Sequence, residues 1–133
     1  MINHTADFGI HVFGSDSKTL FSNAVVAMFD LLTNINSLKG REYIDLEISG
    51  EDWADLMVNW LRETLFLWNG REMLVKTASI QSLTQQTLSA KVTVDPYDPE
   101  RHAIKTEIKA VTYHQIQVYR NPAGWEAKII FDV

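Results

Sequence analysis

Two aspartates near opposite ends of the 133-residue sequence are the residues best placed for chemistry. Asp7 precedes the apolar run Phe8-Gly9-Ile10, and Asp132 follows Ile129-Ile130-Phe131. Because side chains alternate along a strand, we expect Asp7 to point away from the face that carries the apolar residues. If the two segments pair, the carboxylates meet and repel each other unless a cation lies between them. Oxygen ligands of this kind suit Ca²⁺ or Mg²⁺.

The same two residues also fit a purely structural interpretation. Asp7 lies beside Gly9, and short acidic residues commonly cap turns through their own backbone. Asp132 lies next to the last residue of the sequence, where chains tend to fray. Spacing alone leaves both interpretations open.

Other kinds of active site find little support in the sequence. The chain has no cysteine, which excludes disulfides, thiolate metal sites and cysteine nucleophiles. It has no glycine-rich phosphate loop, no histidine pair at helical metal-binding spacing and no Gly-x-Ser-x-Gly elbow. The four histidines are dispersed, and each fits a packed or solvated residue better than a catalyst: His4, His11, His102 and His114.

Composition restricts the class of protein. A chain of 133 residues with 46% hydrophobic residues predicts one domain, residues 1–133, with a single core. A net charge of −5 argues against a domain that grips nucleic acid through a basic surface. No apolar run reaches the roughly 20 residues needed to cross a bilayer, and there is no signal segment, so we expect a cytoplasmic protein without membrane contact.

Two segments have helical periodicity. Gly14-Ser15-Asp16-Ser17 has the residue types of a turn and a helix N-cap, and apolar residues then recur every four positions from Leu20 to Leu32, which predicts a helix over about Lys18 to Asn34. A second predicted helix begins after a cap at Asp52 and ends at Asn69-Gly70. Its tryptophans could stack on bases, but their common apolar stripe favours burial against a sheet.

Period-two segments predict strands. They lie around 44–48, 73–77, 88–94, 108–119 and 125–133, with a surface loop at Asp95–Glu100. The last two form a hairpin, and pairing Tyr119 with Trp125 would place Thr112 opposite Asp132. The predicted fold is α+β, with two amphipathic helices packed on one face of a mixed or antiparallel sheet. Both termini then lie on adjacent strands.

Four segments, spread in order over essentially the whole chain, resemble the archease family. They are His4–Ile10, the helical segment containing Asp52 and 56–61, the run Glu107–His114, and Ile130–Val133. Phe8 and Met57 depart from the family pattern but remain apolar. The resemblance implies a divalent-cation site formed by Asp7, Asp132 and Val133, with Val133 contributing its carbonyl or its terminal carboxylate. The expected cation is Ca²⁺, with Mg²⁺ or Mn²⁺ as alternatives.

The resemblance also implies an accessory protein rather than an enzyme. Archeases promote the RNA ligase that joins a 2′,3′-cyclic phosphate or 3′-phosphate end to a 5′-hydroxyl end in tRNA splicing or RNA repair. They assist its guanylylation with GTP and its multiple turnover. The expected partner is therefore this ligase, with RNA reached only through it, and Lys109 and His4 are candidates for contacting the partner or a phosphate. The alternative is a general RNA-binding or chaperone module without a dedicated ligase.

Overall fold

The chain alternates two long helices with seven strands in a computed structural model that describes residues 6–133. In chain order the elements are β1 Asp7–Gly14, α1 Ser17–Leu32, a 3₁₀ turn Ile35–Ser37, β2 Glu42–Ser49, α2 Trp53–Arg71, β3 Met73–Leu83, β4 Thr87–Pro96, β5 Ala110–Val111, β6 Gln117–Asn121 and β7 Gly124–Asp132. The predicted α+β class is confirmed. Both helices lie close to their predicted positions, whereas β3 extends six residues beyond the predicted Thr77.

The strands form two antiparallel sheets rather than the single sheet that we predicted. In the first sheet β7 is central, with β1 on one side and β5 and β6 on the other. The second sheet has the order β2-β4-β3. Both helices contact strands of both sheets. One apolar core therefore serves the two sheets and the two helices.

Both helices begin at the capping residues that the sequence indicates. The Asp16 carboxylate accepts a hydrogen bond from the Thr19 amide, and that of Asp52 accepts one from the Asp55 amide, both at 2.8 Å. Each bond satisfies an amide that the first helical turn leaves without a partner. The second helix runs to Arg71, one residue past the predicted Asn69-Gly70 end, and stops where Glu72 adopts a left-handed conformation.

The tryptophans of α2 belong to the core. Trp60 is fully buried, and its indole Nε1 donates to the Phe21 carbonyl of α1 at 2.9 Å. Trp68 is also buried, and Trp53 packs edge-on against Trp125 of β7. Because a buried indole N–H needs a partner, the Trp60 bond fixes the relative position of the two helices. The predicted burial is confirmed for Trp60 and Trp68, whereas Trp53 is partly buried against the core.

The predicted continuous strand over residues 108–119 is wrong. It is interrupted between β5 and β6, where the chain leaves the sheet in a turn closed by the Ile116 amide and the Tyr113 carbonyl at 3.2 Å. Gln115 in this turn has a φ of 52°, a left-handed conformation uncommon for residues other than glycine.

The register that we predicted is also wrong, first at the hairpin turn itself and again beyond the interruption. Arg120, not Tyr119, lies opposite Trp125, and Ala110, not Thr112, lies opposite Asp132. A hairpin register extends along a strand only while the strand stays paired, so the turn after Thr112 uncouples β5 from β6. Thr112 instead donates its amide to the Ile130 carbonyl at 3.0 Å.

Neither of the two helices, among residues 6–133, has the length and apolar character needed to cross a membrane.

Candidate functional site

The two aspartates singled out in the sequence lie directly opposite each other. β1 and β7 pair in an antiparallel register that runs from Asp7 opposite Asp132 to Gly14 opposite Trp125. Directly opposed residues of an antiparallel pair point to the same face of the sheet, with Cβ atoms about 5 Å apart. The predicted convergence of the two carboxylates on one face is therefore confirmed.

The local strand pattern explains why this face is the solvent side. Val12 of β1 is buried opposite Ala127 of β7, and Ile129 and Phe131 of β7 are also buried; these positions alternate with those on the face of Asp7 and Asp132. Asp7 is exposed and Asp132 is half-buried. Like charges directly across a strand pair destabilise it, so this end of the sheet carries an electrostatic cost that a cation would remove.

Val133 and Lys109 lie beside the pair. The Val133 amide donates to the Ala6 carbonyl at 3.0 Å, which holds the residue against β1. On the other side of β7, the Lys109 amide donates to the Asp132 carbonyl at 2.7 Å, and the Lys109 side chain is exposed. Four of the five predicted site residues thus lie at the same end of the sheet: Asp7, Asp132, Val133 and Lys109. His4 lies outside the described residues.

These residues fit a hard cation. Two carboxylates and the main-chain oxygen of Val133 are oxygen donors of the type that Ca²⁺, Mg²⁺ and Mn²⁺ prefer, and water can complete the coordination. Within residues 6–133 no group of three or more His, Cys, Asp or Glu side chains has metal-binding geometry, so a cation here would depend on main-chain oxygen and water as well. The identity of the metal ligands stays a prediction.

A polar cluster continues the same face farther along β1 and β7. Glu126 Oε2 accepts a hydrogen bond from His11 Nε2 at 2.5 Å, and Glu126 also receives one from Asn121. The bond from His11, followed by those from Tyr119 and Asn121, places the pKa of Glu126 below its ordinary value, against the opposing effect of partial burial. His11 also lies against Phe13, with ring centroids 4.3 Å apart. The cluster fixes the position of His11.

A second cluster lies on the side of β5, next to Lys109 in sequence. The Tyr113 hydroxyl donates to Asp55 Oδ1 at 2.6 Å, and the Arg62 guanidinium lies 4.6 Å from the centre of the Tyr113 ring. The hydrogen bond from Tyr113 holds the pKa of Asp55 below its usual range. The Arg62 Nε also donates to the Val111 carbonyl at 3.1 Å. These contacts tie the turn after β5 to α2.

Asp95, which we placed in a surface loop, is buried at the end of β4. Its two carboxylate oxygens accept hydrogen bonds from the backbone amides of Lys39 at 2.6 Å and Arg41 at 3.0 Å. Burial is the largest influence on the pKa of Asp95 and raises it, but the Lys39, Arg41 and Gly40 amides together outweigh it, so the pKa lies below its ordinary value. Asp95 therefore organises the entry to β2.

His102 packs beside this carboxylate and was likewise not recognised as special. Its Nδ1 accepts a hydrogen bond from the Asp98 amide at 3.0 Å, which leaves the proton of a neutral ring on Nε2. Nε2 lies 4.0 Å from Asp95 Oδ2 and, among the described residues, has no hydrogen-bond partner. The predicted interpretation of His102 as a packed histidine is consistent with this position. Pro96 and Pro99 are typical of an exposed turn, so the sequence pattern gave no sign that Asp95 and His102 are buried.

The chain is similar to known proteins over its whole length. The model of the Archease protein family matches residues 1–133. Protein archease of Methanopyrus kandleri is 33% identical, with 99% of this chain and 96% of that protein covered. Protein archease of Pyrococcus furiosus is also 33% identical, with coverages of 98% and 94%.

Two solved structures share the fold. Protein 1598 of Methanobacterium thermoautotrophicum has a TM-score of 0.73 at 23% identity, covering all of this chain and 95% of that one. A Thermotoga maritima structure described as an archease and possible chaperone has a TM-score of 0.68 at 18% identity, with the same coverages. The fold, the family model and the relatives agree, and the chain belongs to the archease family.

Proposed function

We propose that this protein activates an RNA ligase that joins a 3′-phosphate or 2′,3′-cyclic phosphate end to a 5′-hydroxyl end. In this role it promotes the GTP-dependent guanylylation of the ligase and its multiple turnover, and it is not itself an enzyme. Family membership supports the proposal. The single structural observation that carries it is the opposition of Asp7 and Asp132 on the solvent face of one strand pair.

The carboxylates of Asp7 and Asp132, with the Val133 main-chain oxygen, would hold one divalent cation, for which we favour Ca²⁺ over Mg²⁺ and Mn²⁺. When bound, the cation would compensate the two negative charges and attract phosphate oxygens at the ligase active site. The chain's own contribution is to hold both carboxylates on rigid, paired strands rather than on a loop. Small errors of position in phosphoryl transfer have large effects on rate, so such rigidity matters.

Lys109 would contribute a positive charge next to the acidic pair. Its backbone is anchored to Asp132, and its side chain is exposed. It would contact a phosphate or an acidic side chain of the ligase. The net charge of −5 fits a chain that binds a protein partner while the ligase holds the RNA. We also propose that it acts in the cytoplasm.

Reconstitution with the cognate RNA ligase, GTP and a divalent metal tests the proposal. The wild-type protein should increase the guanylylated fraction of the ligase and convert slow joining into multiple turnover. Asp7→Ala and Asp132→Ala should abolish this stimulation while each variant keeps a cooperative thermal transition, since exposed carboxylates contribute little to the core. Asp45→Ala is the matched control, because Asp45 is an exposed strand aspartate of the second sheet.

Two results would count against the proposal. Full stimulation by both aspartate variants would disprove the site, and no effect of the wild-type protein on guanylylation would disprove the ligase role. A gel shift with RNA alone separates the alternative of a general RNA-binding or chaperone module. Tight binding to RNA in the absence of ligase would favour that alternative.

A further inference from the structure

A groove crosses the solvent face of the first sheet, immediately beside the acidic pair. It has a volume of about 560 Å³ and is lined by residues of β1 and β7 and by the turn before β6. Its floor lies between Gly9 and Ile130, which oppose each other on the same face as Asp7 and Asp132, two residues farther along each strand. With a rise of about 3.3 Å per residue, the floor is only about 7 Å from the acidic pair along the strands.

The groove exists because two features remove material from this face. Gly9 has no side chain, and a Cβ at this position would lie 3.3 Å from Ile130 Cδ1. The interruption of the strand between β5 and β6 moves the chain away from β7, so that Gln115 and Ile116 form a wall. The left-handed backbone of Gln115 lies in this wall, and such conformations cluster at binding sites.

The chemistry of the lining differs between floor and far end. Ile130 on the floor and Ile116 in one wall are apolar, whereas Ile129 contributes only its backbone because its side chain is buried on the core side. The far end carries Lys128, which lies between His11 on β1 and Gln117 on β6. Within residues 6–133, two pairs of basic and acidic side chains lie within 4.0 Å, His11–Glu126 and His102–Asp95, and the Lys128 ammonium takes part in neither.

This lining favours a protein segment over a nucleic acid. The apolar side chains that line the groove, Ile130 and Ile116, are branched aliphatic ones, whereas bases stack on aromatic side chains. A chain with net charge −5 repels a polyanion, but one lysine at the end of an apolar groove complements a single carboxylate. We propose that this groove docks a segment of the ligase partner, with an apolar side chain over Gly9 and Ile130 and an adjacent acidic residue at Lys128.

This inference rests on the proposed function and adds the surface that orients the acidic pair. The ligase segment in the groove would place its own active site against Asp7 and Asp132, because groove and pair share one rigid sheet face. Binding of the partner and binding of the cation are then separable properties of neighbouring residues.

Binding of the cognate ligase, measured by calorimetric titration, tests the inference with two variants. Lys128→Glu reverses the charge, and Gly9→Val fills the floor at a position whose backbone accepts a side chain. We expect each to weaken ligase binding at least tenfold and to reduce guanylylation in proportion at subsaturating protein. Calorimetric titration with Ca²⁺ should give the same affinity for Gly9→Val as for wild type.

Lys91→Glu and Ser79→Val are the matched controls. These residues oppose each other on the second sheet, so the two changes repeat the charge reversal and the added bulk away from the groove. Both controls should bind the ligase within twofold of wild type.

Ligase binding by Lys128→Glu and Gly9→Val at the level of these controls would overturn the groove assignment while leaving the activator role intact. No binding or stimulation by the wild-type protein would overturn both, and salt-dependent RNA binding that Lys128→Glu abolishes would identify the groove as a nucleic-acid site instead.

Discussion

Asp95 and the Asp7–Asp132 pair show two opposite ways of placing carboxylates in one small fold. Asp95 is 2% exposed and receives backbone amides on both oxygens, with His102 beside it. Asp7 and Asp132 face solvent and each other, and within residues 6–133 no side-chain hydrogen bond to either carboxylate is found. The backbone amides stabilise the negative charge of Asp95 inside the fold, whereas the strand register brings the two negative charges of Asp7 and Asp132 together at the strand ends.

Burial and hydrogen bonding, rather than residue type, therefore separate a structural aspartate from a candidate metal ligand. A carboxylate that already accepts two backbone amides has its charge compensated by the protein. Two opposed carboxylates gain from an external cation. Four measurements test this difference between Asp95 and the acidic pair.

The largest effect is expected for Asp95→Ala. Removal of the carboxylate leaves the Lys39 and Arg41 amides without their acceptor in a part-buried position, and we expect the free energy of unfolding to fall by about 3 kcal/mol. Urea denaturation at neutral pH measures this loss. The control Asp45→Ala should change stability by less than about 0.5 kcal/mol, and an equal effect of both variants would show that Asp95 is not the structural residue.

A nearly equal effect, of opposite sign, should follow addition of a divalent cation. A ligand that binds only the folded state at 100 times its Kd stabilises by about 2.7 kcal/mol. Thermal unfolding of the wild-type protein with and without Ca²⁺ measures the shift. Asp132→Asn should abolish most of the shift, whereas Asp95→Asn should retain it. A shift that survives Asp132→Asn would place the cation elsewhere.

Acid should remove the contribution of Asp95 to the free energy of unfolding. Because the pKa of Asp95 is lowered in the folded state, its stabilising effect is complete above its unfolded pKa of about 3.9 and is lost as the pH falls through the folded value. The difference in unfolding free energy between wild type and Asp95→Asn should therefore be constant from pH 7 to about pH 5 and should decrease below about pH 4. Taking the difference cancels other acids with lowered pKa values, such as Glu126 and Asp55. A difference that grows on acidification would contradict the assignment.

The smallest effect concerns the acidic pair without a cation. Replacing one of two opposed like charges should raise the unfolding free energy, and cross-strand pairs contribute about 0.2–1 kcal/mol. We expect Asp132→Asn in the presence of a chelator to be more stable than wild type by about 0.5 kcal/mol in urea denaturation at low ionic strength. The gain should shrink in high salt, which screens the repulsion. A loss of stability would mean that the carboxylates do not repel each other.

Local patterns predicted most of what positions the candidate site. The caps at Asp16 and Asp52 depend on residues three positions apart, and the apolar stripes of the helices repeat within a few turns. Alternation along β1 predicted the solvent side of Asp7 for the same reason. These signals are short-range, so they survive without knowledge of the partner strand.

Pairing between segments that are distant in sequence could not be predicted from such local patterns. The predicted hairpin register was one residue out within β6, and beyond β6 it failed because the turn after Thr112 contains no glycine, proline or other local signal of a break. The groove beside Gly9 depends on that break and could not be expected from either strand alone. The Asp95 site joins residues 54 and 56 positions apart, and its adjacent proline suggested a turn instead.

Periodicity within single elements was sufficient to predict the α+β class, the positions of both helices and the face of β1 on which Asp7 lies. Three features required the folded chain: the division of the strands into two sheets, the burial of Asp95 and the groove beside the acidic pair. Those features depend on which distant segments pair and where pairing stops. That choice is made by the free energy of the whole core rather than by any single segment.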